Sequence, residues 1–173
     1  MTDTITEAAG DPTEPQRTLD ELLAEEWNVA MVMTMVDGRH TSRPVTCVEV
    51  TATRLSFLVS RVSPWVQHIA TGVAVVHVTF SDTKHNTYLS LNGTAFVTTD
   101  EAERERLWSP AAQVWFDGPQ DEELAIVRFE VTDGEYWTGP DGSFRQAIAL
   151  VRGILTGDEA AMGEQGTIAT EAP

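Results

Sequence analysis

Cysteine is nearly absent: Cys47 stands alone in 173 residues, so no intramolecular disulfide can form. Set inside an apolar, strand-like stretch, it reads as a small buried hydrophobe rather than a reactive thiol. Basic residues are also scarce. Eleven Lys and Arg, with Lys84 the one lysine, face 27 Asp and Glu, for a net charge of −16. That balance argues against nucleic acid as a partner, because nothing offsets phosphate repulsion. No apolar run reaches the ~18 residues needed to span a bilayer. No basic start followed by an apolar segment marks a signal peptide. A soluble, cytoplasmic protein without membrane contact is the expectation. Motifs for common chemistries are missing too: there is no HExxH, no CxxC and no GxGxxG at a strand-to-helix junction. His40, His68, His77 and His85 lack ligand spacing, so no metal site is expected. His77, in an apolar strand, reads as a satisfied core or interface histidine.

Half of the excess acid sits at the two ends. Asp3, Glu7, Asp11 and Glu14 lie in a Thr/Glu/Gly/Pro mixture, and Asp158, Glu159, Glu164 and Glu171 in the last stretch. Both ends are therefore expected to be disordered, over 1–17 and 157–173, around one domain at 18–156.

Between them the chain is rich in short β signals. Residues 28–36 are apolar and β-branched and end at Asp37-Gly38, a strong hairpin signal. Further strands are predicted over 39–50, 55–59, 74–80 and 87–99. A sixth is predicted at 124–131, with Leu124, Ile126, Phe129 and Val131 as its apolar positions; 133–137 is a possible extension. Thr18-Leu19-Asp20-Glu21 is a capping box opening a helix to Trp27. A second helix is predicted over 100–108, with Glu103, Arg104, Glu105 and Arg106 as its solvated face. Another turn is predicted at 109–113, and an amphipathic helix over 143–155. The fold class expected is mainly β with peripheral helices, an antiparallel barrel.

Two local features suggest chemistry. Arg43 sits mid-strand between Ser42 and Pro44, suited to a partner subunit, an anionic ligand or a rim salt bridge. Ser63 and Pro64 form a natural N-cap and first helical position after Ser60-Arg61-Val62. A helix start of this kind can also hold an anion.

These features occur in an order that resembles the pyridoxamine-phosphate-oxidase-like flavoproteins. The quoted stretches are 29–35, Ser42-Arg43-Pro44, Leu55-Ser56-Phe57-Leu58, Ser63 at a helix start, and Tyr88 to Ala95. Downstream, Leu107-Trp108-Ser109-Pro110, Val114-Trp115-Phe116-Asp117-Gly118 and Glu135-Tyr136-Trp137 look like the family's general-stress-protein branch. The resemblance implies a six-stranded split β-barrel homodimer binding flavin mononucleotide (FMN), and an FMN-dependent oxidoreductase acting on a small molecule. It also implies the binding residues. Arg43, Pro44, Val45 and Thr46 match the strand under the flavin ring; Ser60, Arg61, Ser63 and Trp65 match the phosphate loop. Trp108 and Trp115 match aromatics near the interface or the partner's flavin. Where the family carries basic residues, this chain has Pro64, Trp65 and Val48, and each charge-assisted phosphate contact is worth roughly 1.5–3 kcal/mol. Two alternatives stand beside FMN: a flavin-free small-molecule-binding protein on the same scaffold, favoured by an indole at position 65, and a deazaflavin-dependent reductase.

Overall fold

A computed structural model of the chain describes residues 16–23, 29–139 and 164–168. The predicted helix over 143–155, the second half of the one ending at Trp27, and most of both expected tails lie outside the described residues.

The elements, in chain order, are β1 (Gln16–Arg17), α1 (Leu19–Leu22), β2 (Val29–Val36), β3 (Arg39–Val50), β4 (Arg54–Ser60), α2 (Pro64–Ile69), β5 (Ala74–Asp82), β6 (Thr87–Thr98), α3 (Glu101–Leu107), a 3-10 turn (Pro110–Val114), β7 (Leu124–Thr138) and β8 (Glu164–Ile168). The strand order is β1-β8-β7-β4-β3-β2-β5-β6, and β6 also pairs with β7. That last pairing closes β2 to β7 into a six-stranded antiparallel barrel, leaving no free edge among the six.

Local sequence explains the first hairpin. Asp37 and Gly38 take φ of 51° and 73°, the two left-handed positions of a type I′ turn, and strands β2 and β3 pair from Val36↔Arg39 to Val29↔Thr46. Along β2 the buried residues alternate: Ala30, Val32 and Thr34 face the barrel interior, while Val29, Met31 and Met35 are exposed. Phe57, Phe80, Leu89, Leu91, Phe129 and Tyr136 fill the interior, none more than 1% exposed. Helix α2 lies at the barrel, with Val66 and Ile69 buried in the same core.

β7 departs from the one-face pattern expected of it. Ala125, Val127, Phe129 and Val131 belong to the barrel core, so Leu124 and Ile126, two residues out of phase, point the other way. They are nevertheless fully buried, on the strand that α3 packs against. The strand also runs on to Thr138, because β6 pairs with it along its whole length. A bulge between Asn92 and Gly93 lets two β7 residues oppose one of β6. Gly93 is required there: a Cβ would stand 2.1 Å from the Glu130 carbonyl oxygen.

Two further expectations need correction. The face of α3 read as solvated is so only at Glu105 and Arg106, which are exposed, and it is bonded as well: Arg104 donates to the Asp121 carbonyl at 2.9 Å, Arg106 pairs with Glu49, and the half-buried Glu103 with Arg128. Glu49 accepts in addition from the fully buried Ser56 hydroxyl at 2.9 Å, so α3 is tied to β3 and β4 by a charge cluster. Within the stretch expected as C-terminal tail, Glu164–Ile168 forms β8, antiparallel to the end of β7, with Ile168 6% exposed in the core. Its apolar anchor is a single residue, too little for periodicity to register.

Candidate functional site

A cleft of about 370 Å³ opens where β3, β4, the start of α2 and the 3-10 turn meet. It is at the small end of the ~300–1,000 Å³ range of ligand sites. Arg43, Pro44, Val45 and Thr46 of β3 line it, with Ser60, Ser63 and Trp65 from the β4–α2 connection and Trp115 from the end of the 3-10 turn. Of the ten residues implied by the resemblance, Arg61 and Trp108 are left out: Arg61 is exposed, and its backbone N–H donates to the Glu123 carbonyl at 2.8 Å. Trp108, half-buried, forms the C-cap of α3 and does not line the cleft.

Arg43 lies opposite Val32 in the ladder and so points with it toward the barrel interior. Its Nη1 donates to the Thr34 hydroxyl at 2.9 Å and to the Val32 carbonyl at 3.3 Å, and Nη2 to Thr41 Oγ1 at 2.5 Å. The guanidinium carbon sits 5.0 Å from the Trp65 ring centroid, a cation–π distance. Burial pulls its pKa below the ordinary arginine value. No carboxylate pairs with it among the described residues, so the rim salt bridge is absent. Trp65 also rests on the barrel core.

The start of α2 follows the sequence in part. Pro64 takes the first helical position and Ser63 the N-cap, but the Ser63 side chain makes no capping bond. The cap's work is done by the backbone: Val66 N and Gln67 N both donate to the Ser63 carbonyl at 3.0 Å. Ser63's hydroxyl therefore remains available to the cleft it lines.

Val48, set by the resemblance where the family carries a basic residue, lines the cleft, while other lining residues escaped the sequence. Val48 is the extra residue of a β-bulge, since Cys47 pairs with Phe57 and Glu49 with Ser56; bulges re-aim side chains in this way. Glu123 brings a carboxylate to the wall, near the Ser60 hydroxyl at 3.5 Å. Ser109, Ala111, Ala112 and Phe116 come from the Trp-rich stretch whose motif was visible, though not its destination. Cys47, in contrast, is buried behind the wall, and desolvation pushes its thiol pKa up to about 11. His77 is satisfied, its Nδ1 2.9 Å from Asn92 Oδ1 and its Nε2 3.4 Å from Ser90 Oγ.

The family model described as pyridoxamine 5'-phosphate oxidase like matches residues 14–161, most of the chain. The chain belongs to this family. General stress protein 26 from Jannaschia sp. CCS1 superimposes with a TM-score of 0.70 at 24% identity, over 84% of this chain and 92% of that one. The general stress FMN/FAD binding protein from Xanthomonas citri matches with a TM-score of 0.60 at 24% identity, over 71% of this chain and 92% of that one. General stress protein 26 from Bacillus anthracis str. Sterne gives 0.60 at 16%, over 67% and 88%. At these identities the likeness concerns the fold. No curated protein matches the chain.

The family's flavin can be tested against these walls. Val45, Val48, Leu58 and Trp115 offer apolar surface to a flat heteroaromatic ring. The same cleft presents one cationic side chain, already bonded to protein, and one carboxylate. The ring fits this surface; a phosphate dianion finds no cage among the described residues. No helix among these is long and apolar enough to cross a membrane.

Proposed function

We propose that the chain is a flavin-binding protein that works as a homodimeric oxidoreductase on a small molecule in the cytoplasm, with FMN the cofactor implied by the family. One observation carries this reading: eight residues assigned to the cofactor from the sequence converge on one cleft. When bound, a flavin supplies the hydride chemistry; the protein's part is to hold and orient it. β3 would lie beneath the ring, with Trp115 beside it. The FMN/FAD binding described for the Xanthomonas citri protein is consistent with this.

The homodimer rests on the outer barrel face. Val29, Met31 and Met35 of β2 and Val75 of β5 are 42–82% exposed on neighbouring strands, a contiguous apolar surface of the kind that a second copy covers. Trp115, 79% exposed at the cleft, is an aromatic of the type enriched at interface centres.

The test is the absorbance spectrum and mass of the purified protein. A yellow protein, or one that quenches added flavin at micromolar concentration, supports the reading. A colourless protein that leaves flavin fluorescence unchanged overturns it and favours a flavin-free binder, for which the indole of Trp65 is the supporting observation. Light scattering should give about twice the 19.0 kDa chain mass; the single-chain mass would refute the dimer.

A further inference from the structure

We infer that this cleft recognises the uncharged part of a flavin, ring and ribityl chain, and is indifferent to the terminal phosphate, so that riboflavin binds as tightly as FMN. This rests on the flavin reading above and refines it.

A phosphate site needs charge-assisted donors that are free to turn toward it, from Arg or Lys, hydroxyls and helix-start amides. Arg43 is the one cationic side chain in the lining. Three of its five N–H donors are spent on Thr34, Val32 and Thr41, and one face of its guanidinium is covered by Trp65. It acts as a fixed floor to the cleft. Three backbone amides at the helix start are committed as well: Ser63 N donates to the Ser60 carbonyl at 3.1 Å, and Val66 N and Gln67 N donate to the Ser63 carbonyl. Pro64 has none. Moreover, α2 is six residues long, so its terminus carries little dipole.

What remains on the polar wall is the Glu123 carboxylate with the hydroxyls of Thr46, Ser60, Ser63 and Ser109. A carboxylate repels a phosphate dianion but accepts a hydrogen bond from an alcohol. Hydroxyl and carboxylate groups opposite an apolar, tryptophan-lined wall form a surface for an aromatic ring carrying a polyol. The chain's charge of −16 works in the same direction, opposing anionic ligands at long range.

The experiment is a parallel titration of the full-length protein with FMN and with riboflavin, read by quenching of flavin fluorescence, at low and at moderate salt. The expected result is dissociation constants within about threefold of each other. Added salt should leave FMN binding unchanged or tighten it, because it screens repulsion. In a Trp65→Lys variant the ratio of the two dissociation constants should move toward FMN by about tenfold or more, since one charge-assisted contact is worth about that factor, while loss of the indole affects the ring common to both flavins and cancels in the ratio. Glu123→Gln, an exposed position that threatens no core packing, should favour FMN in the same sense by a few-fold. FMN binding thirtyfold or more tighter than riboflavin, and weakening with salt, would overturn the inference while leaving the flavin reading standing. No binding of either flavin would remove both.

Discussion

The barrel's closure can be probed by adding one methyl group. At Gly93 a Cβ would lie 2.1 Å from the Glu130 carbonyl oxygen and 2.8 Å from two ring carbons of Phe129. A carbon–oxygen contact normally stays beyond about 3.2 Å, so Gly93→Ala must push β6 and β7 apart by roughly an ångström at their bulge. Backbone is the obstacle, so no rotamer change relieves it. Overpacking of this kind costs about 1–3 kcal/mol. Lengthening the ladder bonds on either side, Asn92↔Asp133 and Thr94↔Glu130, adds about 0.5–1.5 kcal/mol each. The expected loss is therefore about 2–6 kcal/mol, or a fall in Tm of roughly 10 °C at the middle of that range for a chain of this size. Gly72→Ala is the matched control: nothing lies within 4 Å of its Cβ position and its φ is ordinary, so its stability should stay within about 0.5 kcal/mol. Chemical denaturation of the three proteins, with unchanged m-values, measures both. A Gly93→Ala protein within 0.5 kcal/mol of the parent would refute the close approach, and with it the tight β6–β7 seam.

Other expectations can be checked singly. Cys47, with a thiol pKa of about 11, is roughly one part in a thousand thiolate at pH 8 against about one in four for a free thiol; alkylation should be at least about a hundredfold slower than in the unfolded chain, and equal rates would refute its burial. The Arg106 hydrogen bond, with Ser56 and both arginines, holds the Glu49 carboxyl below its usual pKa. Its contribution is present above the unfolded value near ~4.3 and fades as pH falls through the lower folded value. Thermal melts of Glu49→Gln should therefore lie below the parent at pH 7, and the gap should narrow as pH falls below about 4.3; a pH-independent gap would refute the linkage. Trp115→Ala should leave single-chain stability within about 0.5 kcal/mol, because the indole is 79% exposed. It should nonetheless weaken flavin binding about tenfold, and unchanged affinity would remove Trp115 from the site.

The strands were legible where local chemistry and tertiary fate agree. Asp37-Gly38 makes a turn of the only hand that matches a twisted hairpin, and β2 and β3 followed from it. β7 was legible to Val131, with 133–137 read as an extension rather than as the same strand, because Thr132-Asp133-Gly134 has the composition of a turn. Pairing with β6 overrides it, and the Asp133 carboxylate accepts from Asn92 at 2.7 Å across the strands. Its two-faced burial was hidden too, since an apolar run looks the same whether one helix or none covers the outer side. In the cleft, the ordered motifs carried most of the position, down to Trp65 and Trp115. Arg61 lies outside the cleft lining, and a basic residue in a loop says nothing about which way the loop turns. Glu123 was out of reach for a similar reason: it owes its place to a turn some sixty residues from Ser60, which it faces. The Arg43–Trp65 stack depends on a helix laid across a strand twenty residues earlier, which no spacing rule encodes.

β7 also sets the order in which the chain can be completed. Residues 126–130 hydrogen-bond to β4 on one side and β6 on the other, so the last long strand among the described residues seals two edges made far earlier. Until it emerges, β4 and β6 both present open backbone to any strand within reach. Such distant pairing makes for slow closure. A nascent or truncated chain ending near Thr98 should therefore self-associate through those edges, whereas one reaching Thr138 should not. Proteolysis of stalled fragments of the two lengths would tell them apart.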